Sequence, residues 1–446
     1  MHARARKSRL RLLLAVLLPA LILAGGPALS VVEGPAQAQT PDGKYNPLLR
    51  RALSVSKPAL KPLVVTQAGS ADVKKIKLML RVAPGTTKEE LRALDHSFYI
   101  GTVSGGVATA EVPIALIDKL AGHSKVLRLS LAVQYKALND VTRSSTTSGG
   151  LFLGMLSTAG VSGLGSFDGA GVVIGDVDTG IDFRHQDFIN GSGGSATSRL
   201  LSVWDQTDAG GPAPTGFDCP TVSGFNFCGG TEWTNAQLTS DIRGQSSVVR
   251  QVDTDGHGTA VLGCAGGNGN ATNGLEPPGK YKGMAPAADL IMVKSALNDA
   301  DICDGVSYIF SRAGSKPAVA NLSLGGHLGP HDGTTDLEAC LTGLTGPGRI
   351  IVASAGNEGA DALHASQTGN GTIAFNKWGL GEERIDFWHD YEDKFTLTIT
   401  ATDQSCGTLT VNSDSVLDSA TANFCTATIS VYNAPISSPF AWDGNA

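Results

Sequence analysis

Short apolar runs alternate with amphipathic stretches through the middle of the chain. Four such runs, each ending in a Gly-rich turn, are GVVIGDVD, ADLIMVKS, AVANLSLGG and RIIVASAG. Continuous apolar runs of this length are typical of parallel strands that are buried on both faces. Between two of them, DADICDGVSYIFSRAG carries apolar residues at helical spacing. This order predicts an α/β fold over residues 146–370, a mainly parallel sheet with helices on both faces.

A different pattern precedes this region. KIKLMLRV alternates as a strand, TKEELRALD has a helix start with acids in its first turn, and GVATAEV, PIALIDKLAG and SKVLRLSLAVQY follow as strand, helix and strand. The order predicts a small α+β domain over 74–145, joined to the N-terminal end by a Pro- and Ala-rich linker, 39–73. Because this domain holds no cluster of catalytic residues, we interpret it as a folding or inhibitory pro-domain; an independent binding module is the alternative.

Residues 371–446 alternate in a third way. Thr-rich strands with turn residues between them, as in KFTLTITATD, GTLTVNS and FCTATISVYN, are typical of an antiparallel sandwich. One alternative is a carbohydrate- or surface-binding module. Phe387, Trp388 and Tyr391 lie close together in the sequence, but their spacing fits core packing at least as well as a sugar platform.

The first 38 residues have the pattern of a signal peptide. Five basic residues precede an apolar run from Leu12 to Ala24, and AQA at 36–38 offers a small-x-small cleavage site. A short membrane anchor is the alternative. Removing this segment takes five basic residues and one acidic residue from the 34 and 41 of the whole chain, which leaves 29 and 40. The remainder is predicted to be exported, and its acidic balance argues against nucleic acid and anionic membranes as partners.

Seven cysteines agree with an oxidising compartment. Local spacing favours disulfides between Cys219 and Cys228 and between Cys406 and Cys425, and Cys303 with Cys340 completes the predicted pairs. Cys264 remains as a buried thiol on the same predicted helix as His257, where apolar surroundings disfavour a nucleophilic role.

The stretch DTDGHGTAVLG places His257 at a helix N-terminus with a glycine on each side. A histidine there is well placed as a general base, but it needs an orienting carboxylate and a nucleophile. Asp178 is the candidate carboxylate, because it ends a buried strand and the carboxyl ends of parallel strands are where chemistry collects in open α/β sheets. Taken alone, such an aspartate is more often a turn cap and such a histidine is more often structural.

The combination of VDTGID, DGHGTAVLG, GMAPAADL and SAGNEG resembles the subtilases, the subtilisin-like serine proteases. The resemblance runs from about Gly169 to about Gly359. It implies that Asp178 is the triad aspartate, that His257 is the general base and that Asn357 donates to the oxyanion hole, a donor worth roughly 10²–10³ in turnover. It also implies that Ser323, Leu324, Gly325 and Gly326 form the edge strand that binds an extended polypeptide substrate.

The nucleophile that this resemblance requires is missing from the sequence. The family order is Asp, His, Ser, with the serine in a Gly-Thr-Ser turn that opens a helix, and no such turn follows Asn357. SRLLSVWDQT and GTEWTNAQL are similar to germination-type subtilases, which carry a jelly-roll insertion before the serine. We therefore expect residues 371–446 to be part of that insertion and the serine to lie beyond Ala446. A complete pseudoprotease that binds peptides or a partner protein without cutting is the alternative.

No cofactor is expected to be required. Asp187 matches a position that ligates calcium in many subtilases, and Asn270 lies in the loop GGNGNATNG, which offers further oxygen atoms. Hard oxygen donors suit calcium, so Asp187 and Asn270 are candidate ligands of a structural calcium ion. A solvated Gly/Asn turn is the equal alternative.

Overall fold

The computed structural model describes most of the chain between residues 44 and 433. The described residues are 44–54, 65–67, 74–137, 168–214, 221–222, 225–226, 229–272, 277–359, 361, 363–366, 370–374, 387, 396–400, 408–412, 417–424 and 427–433. The predicted signal peptide lies outside them. Within these stretches, no helix combines the length and the apolar character that crossing a bilayer demands.

The first domain is an antiparallel sheet with helices on one face. Its strands are β1 (Val65–Gln67), β2 (Lys74–Val82), β3 (Tyr99–Ser104), β4 (Val107–Pro113) and β5 (Val126–Leu131). They are ordered β1-β2-β4-β3, with β5 also pairing with β2. The helices are α1 (Pro47–Ser54), α2 (Lys88–Arg92) and α3 (Ile117–Ala121). Leu78 and Leu80 of β2 lie in the same apolar core as Leu49 of α1 and Leu91 of α2.

Three elements of this domain differ from the sequence prediction. Helix α1 and strand β1 lie in the range predicted as a linker, and β3 was not predicted. The linker prediction missed them because β1 has only three residues, too few for an alternating pattern, and because α1 is short and lies among prolines. The five strands and the predicted helices at Thr87 and Pro113 otherwise agree with an α+β domain; the helix α2 begins with a capping box between Thr87 and Glu90.

The second domain contains a six-stranded sheet that is parallel except at one edge. Its strands are β7 (Val173–Asp178), β10 (Leu200–Asp205), β13 (Thr231–Thr234), β14 (Asp289–Lys294), β15 (Ala318–Leu322) and β17 (Arg349–Ala353). The order is β13-β10-β14-β7-β15-β17, and only β13 runs antiparallel to its neighbour. Strand β7 is buried throughout, as its continuous apolar run predicts. The predicted α/β fold is thus confirmed.

Helices cover this sheet. They are α4 (Asn235–Ile242), α5 (His257–Gly266), α6 (Asp299–Ala313) and α7 (Asp336–Leu344). Helix α6 packs Ile309 against Gly175 of β7, where any Cβ would overlap the isoleucine side chain. On a separate apolar cluster, Leu262 of α5 packs with Phe188 and Leu290. Gly175 therefore lets α6 approach the middle of the sheet closely.

The free face of the first domain's sheet lies on α6 and α7. Lys77 pairs with Asp301, and the Asp304 carboxylate accepts hydrogen bonds from Thr102 N and Thr109 Oγ1 at 2.8 and 2.7 Å. Asp336 accepts from Arg128 Nη2 and Ser130 Oγ, both at 2.7 Å. The contact between the two domains is therefore built on buried carboxylates in the first two turns of two helices.

The remaining short strands are β6 (Lys136–Ala137), β8 (Ile189–Asn190), β9 (Thr197–Ser198), β11 (Thr221–Val222), β12 (Phe225–Asn226), β16 (Leu324–Gly325), β18 (Thr396–Thr400), β19 (Thr408–Asn412), β20 (Leu417–Phe424) and β21 (Ala427–Asn433). The last four form two antiparallel hairpins, β18 with β19 and β20 with β21. Antiparallel pairing agrees with the predicted strands, and their assembly into a sandwich stays a prediction.

The cysteines agree with the sequence prediction in one respect and differ in another. Cys303 and Cys340 form a disulfide that joins α6 to α7. Cys264 was predicted to be buried, but its side chain is exposed on α5. That helix is apolar on all sides, so its sequence does not indicate which face packs against the sheet. The other four cysteines lie outside the described residues.

Candidate active site

The structure brings Asp178 and His257 into direct contact. Asp178 is the last residue of β7 and is fully buried, whereas His257 is the first residue of α5. His257 Nδ1 lies 2.7 Å from Oδ1 and 2.9 Å from Oδ2 of Asp178. Gly256, the N-cap residue just before the helix, has φ +86°, a conformation that glycine adopts without strain.

This contact orients the imidazole ring. A carboxylate can only accept hydrogen bonds, so Nδ1 carries the proton and Nε2 of the neutral ring is an acceptor. Burial raises the pKa of Asp178, while the hydrogen bonds from His257 and from Thr179 N, at 2.6 Å, favour its ionised form. Nε2 is buried, and none of the described residues gives it a hydrogen-bond partner. The ring is therefore arranged to accept a proton on its free side.

A second carboxylate lies beneath the first. Asp176 and Asp178 are two apart on β7 and hence point to the same face of the sheet. Asn321 Nδ2 donates to Asp176 Oδ1 at 2.9 Å and lies 3.1 Å from Ser323 Oγ. Burial, and then the nearby charge of Asp178, raise the pKa of Asp176 well above its usual range. These contacts connect the strand end to the beginning of the predicted peptide-binding segment.

Asp253 holds the strand end and the helix together, and sequence reasoning missed it. Its Oδ1 accepts from Thr179 Oγ1 and Gly256 N, both at 2.9 Å. Its Oδ2 accepts from Thr259 N at 2.9 Å and Thr259 Oγ1 at 2.6 Å. Burial opposes the ionisation of Asp253, but these hydrogen bonds outweigh it and lower the pKa. No local signal marked it in the sequence, because Asp253 lies three residues before the N-cap residue of α5, Gly256.

The predicted peptide-binding segment already pairs with an extended strand. Leu324 and Gly325 of β16 pair antiparallel with Ala137 and Lys136 of β6. We call residues 133–137 the pro-segment strand. On its other side, Tyr135 N donates to Leu297 O at 2.6 Å and Asp299 N donates to Val133 O at 3.0 Å.

The pro-segment strand is thus held between two stretches of the second domain. Its side chains alternate: Gln134 and Lys136 are exposed, whereas Val133, Tyr135 and Ala137 are partly buried. Main-chain pairing combined with alternate side chains turned inward is how proteins bind an extended peptide. Of the four residues predicted to bind substrate, Leu324 and Gly325 pair with this strand, and the binding of a substrate by Ser323, Leu324, Gly325 and Gly326 stays a prediction.

Asn357 is not joined to this arrangement by any described contact. It lies four residues after the end of β17, its side chain is exposed, and its backbone N–H contacts Glu358 Oε2 at 3.0 Å. β17 is parallel to β15, which is parallel to β7, so Asn357 follows the same edge of the sheet as Asp178. Its role as an oxyanion donor stays a prediction.

Asp187 and Asn270 both form hydrogen bonds that hold the loop at 268–271 against the chain near Ile189. Asp187 Oδ1 accepts from Ala271 N at 2.7 Å, and Asn270 Nδ2 donates to Ile189 O at 3.2 Å. Calcium prefers several oxygen ligands, and no group of three acidic, histidine or cysteine side chains suited to a metal occurs in the described part of the chain. Both side chains instead hold the loop in place, and calcium binding remains an untested prediction.

Comparison with known proteins assigns the family. The model of the Peptidase_S8 subtilase family matches residues 169–435, more than half of the chain. The chain belongs to the subtilase family. This match contains the whole parallel sheet of the second domain together with Asp178, His257 and Asn357, and it confirms the resemblance found in the sequence. Subtilases are serine-type endopeptidases, so the buried Asp178–His257 contact lies in a domain of a proteolytic family.

Solved subtilase structures are similar to this chain at low identity. The CspB protease of Clostridium perfringens is 19% identical, with 60% of this chain and 52% of that one covered at a TM-score of 0.40. The epidermin leader peptide processing protease of Staphylococcus aureus is 17% identical, with 64% of this chain and 61% of that one covered at a TM-score of 0.33. Fervidolysin of Fervidobacterium pennivorans, a keratinolytic enzyme, is 12% identical, with 66% of this chain and 42% of that one covered at a TM-score of 0.33. This chain therefore spans about half the length of these structures.

Proposed function

We propose that this subtilase is the precursor of a secreted serine endopeptidase, held inactive by its own first domain. The observation that carries the proposal is the joint geometry of two features. The buried Asp178–His257 pair presents a free Nε2, and the pro-segment strand lies on Leu324 and Gly325 as a peptide substrate is expected to lie.

The proposed reaction is peptide hydrolysis through an acyl-enzyme. His257 Nε2 takes the proton of a serine hydroxyl as the oxygen attacks the peptide carbonyl carbon, and Asp178 stabilises the imidazolium ion that forms. Asn357 donates a hydrogen bond to the oxyanion of the tetrahedral intermediate. The proton then passes from His257 to the leaving amine, and water releases the acid by the same steps in reverse. The nucleophile is proposed to come from a Gly-Thr-Ser turn, which residues 1–446 do not contain.

The first domain is proposed to act as an intramolecular chaperone and inhibitor. It fits that role because its sheet covers the acidic ends of α6 and α7 while its last residues form the pro-segment strand. Cleavage between Tyr135 and Gly150 is expected to be needed before a substrate can bind. The apolar run of residues 1–38 supports export of the precursor. The expected partners are then polypeptide substrates and the pro-domain itself.

The test is to read the coding sequence past the codon for Ala446 and to express both the 446-residue chain and the extended protein. Each is treated with a serine-directed fluorophosphonate, with His257→Ala as the control. We expect stoichiometric, His257-dependent labelling of the extended protein at a serine in a Gly-Thr-Ser turn, and none of the shorter chain. Labelling of the 446-residue chain at a His257-dependent serine would refute the missing nucleophile. An extended protein that never labels would favour the pseudoprotease.

A further inference from the structure

Tyr135 fills a pocket beside the peptide-binding strand. It is the middle inward-facing residue of the pro-segment strand, and its ring packs on the apolar cluster that includes Leu324 and Leu337. Gly326 forms one wall, where a Cβ atom would lie 3.4 Å from the ring. In an extended peptide bound at the same place, the side chain at this position would enter this pocket.

Two carboxylates lie near this pocket without a counter-charge. Asp299 is 7% exposed; its Oδ2 accepts from Val133 N at 2.9 Å, whereas its Oδ1 is buried without a partner of hydrogen-bonding geometry in the described residues. Glu338 Oε2 accepts hydrogen bonds from Thr335 N and Thr335 Oγ1. Neither acid forms an ion pair within the described part of the chain. Asp336, by contrast, pairs with both Arg81 and Arg128.

The tyrosine does not supply the missing charge. Burial raises the pKa of Asp299 to about 7, hydrogen bonding by Val133 N and by the neutral Tyr135 phenol opposes that rise, and the charges of Asp336 and Glu338 add to it. Burial, and then the charge of Asp299, also raise the pKa of the Tyr135 phenol, which therefore stays neutral. A buried carboxylate without a cation is costly, and a cation that forms well-aligned hydrogen bonds with it offsets part of that cost.

We infer that Asp299, with Glu338 near it, is a specificity determinant that selects a cationic side chain at the substrate position that Tyr135 occupies. Arginine fits best, because its planar fork can bond the free Oδ1 while its stem packs where the tyrosine ring lies. Tyr135 then binds in this pocket more weakly than the side chain of a preferred substrate does. A substrate can therefore displace the pro-segment strand after cleavage. This inference rests on the proposed binding of peptides at Leu324 and Gly325.

The experiment uses hydrogen exchange of the full 446-residue chain, read by mass spectrometry over the pro-segment strand. Tyr135→Arg and Tyr135→Phe are compared, each alone and each with Asp299→Asn. With Asp299 present we expect the protection factor of the arginine variant to exceed that of the phenylalanine variant at least tenfold. With Asp299→Asn the two should agree within about twofold. Urea unfolding of every variant checks that the fold is kept, and Tyr135→Lys replaces Tyr135→Arg if the latter does not fold.

Lys136→Gln is the matched control, because it changes the charge of the same strand at an exposed side chain. It should leave protection unchanged in both backgrounds. An arginine-to-phenylalanine ratio that is the same with and without Asp299, or below one with Asp299 present, overturns the inference.

None of these measurements needs catalysis, so they stand apart from the fluorophosphonate test. If the extended protein also hydrolyses peptides, its kcat/KM should favour arginine over phenylalanine at this position, and Asp299→Asn should remove that preference. An active protein without the preference overturns the specificity alone.

Discussion

The contact between Asp336 and two arginines gives the sharpest test of how the two domains are held together. Asp336 begins α7, and its Oδ1 lies 2.7 Å from Nη2 of both Arg81 and Arg128. Ser130 Oγ donates to Oδ2 at 2.7 Å. The side chains of Asp336 and Arg128 are 7% and 6% exposed, so solvent does not screen this pair.

The perturbation is Asp336→Asn, which keeps the shape of the side chain and removes its charge. Removing one partner of a buried ion pair typically costs roughly 3–5 kcal/mol. Arg81 reaches more water, with 24% of its side chain exposed, and asparagine retains one oxygen as an acceptor. We therefore expect a loss near the lower end of that range, about 3 kcal/mol.

The assay is urea unfolding of the 446-residue chain followed by circular dichroism. Asp332→Asn is the matched control: Asp332 lies four residues earlier, is exposed, and bonds only Thr334 among the described residues. It should change stability by less than about 0.5 kcal/mol, as surface substitutions usually do. If Asp336→Asn is no more destabilising than Asp332→Asn, the carboxylate does not hold the domains together and the reasoning fails.

Three further outcomes follow from the described contacts. Asp253→Ala leaves partly buried donors of the strand end and of α5 without their acceptor, so stability should fall by about 1 kcal/mol in urea unfolding. Asp255→Ala, at an exposed neighbour, is the near-neutral control. Gly175→Ala places a methyl group against Ile309 of α6 and should lower the free energy of unfolding by about 1–3 kcal/mol. Gly194→Ala is the control, because its methyl group enters open space. Equal melting temperatures of the two variants would contradict the close approach of α6 to the sheet. Because the pKa of Asp299 is raised from its ordinary value near 4 to about 7, docking of the pro-segment strand is most favourable below pH 4 and weakens as the pH rises to about 7. Hydrogen exchange should follow that trend and become flatter with Asp299→Asn.

The parts that the sequence predicted well are those fixed by local chemistry. A strand buried on both faces needs a continuous apolar run, and a histidine between glycines at a helix start needs only neighbouring residues, so β7, Asp178 and His257 were found together. The disulfide between Cys303 and Cys340 was also predicted, although it joins two helices.

The parts that the sequence did not predict depend on distant partners or on very short elements. Asp253 became visible only when its hydrogen bonds to Thr179 and Thr259 were known, although both threonines belong to the recognised motifs. The contact of Asp299 Oδ2 with the pro-segment strand comes from Val133, which lies 166 residues earlier. The pattern of hydrophobic positions along the sequence does not predict the hydrogen-bond partners of a buried carboxylate.

The acidic residues that contact the first domain lie near the N-termini of two helices of the second domain. Asp299, Asp301 and Asp336 lie in the first turns of α6 and α7, where the helix dipole favours negative charge whether or not the pro-domain is bound. After release these carboxylates would meet water at helix ends that already stabilise them. Lys77 and Arg128 come from β2 and β5, whose dipoles are small, so they gain no such compensation. If the first domain is released as proposed, these acids suit a second domain that remains folded afterwards, because the helix ends stabilise them without the first domain.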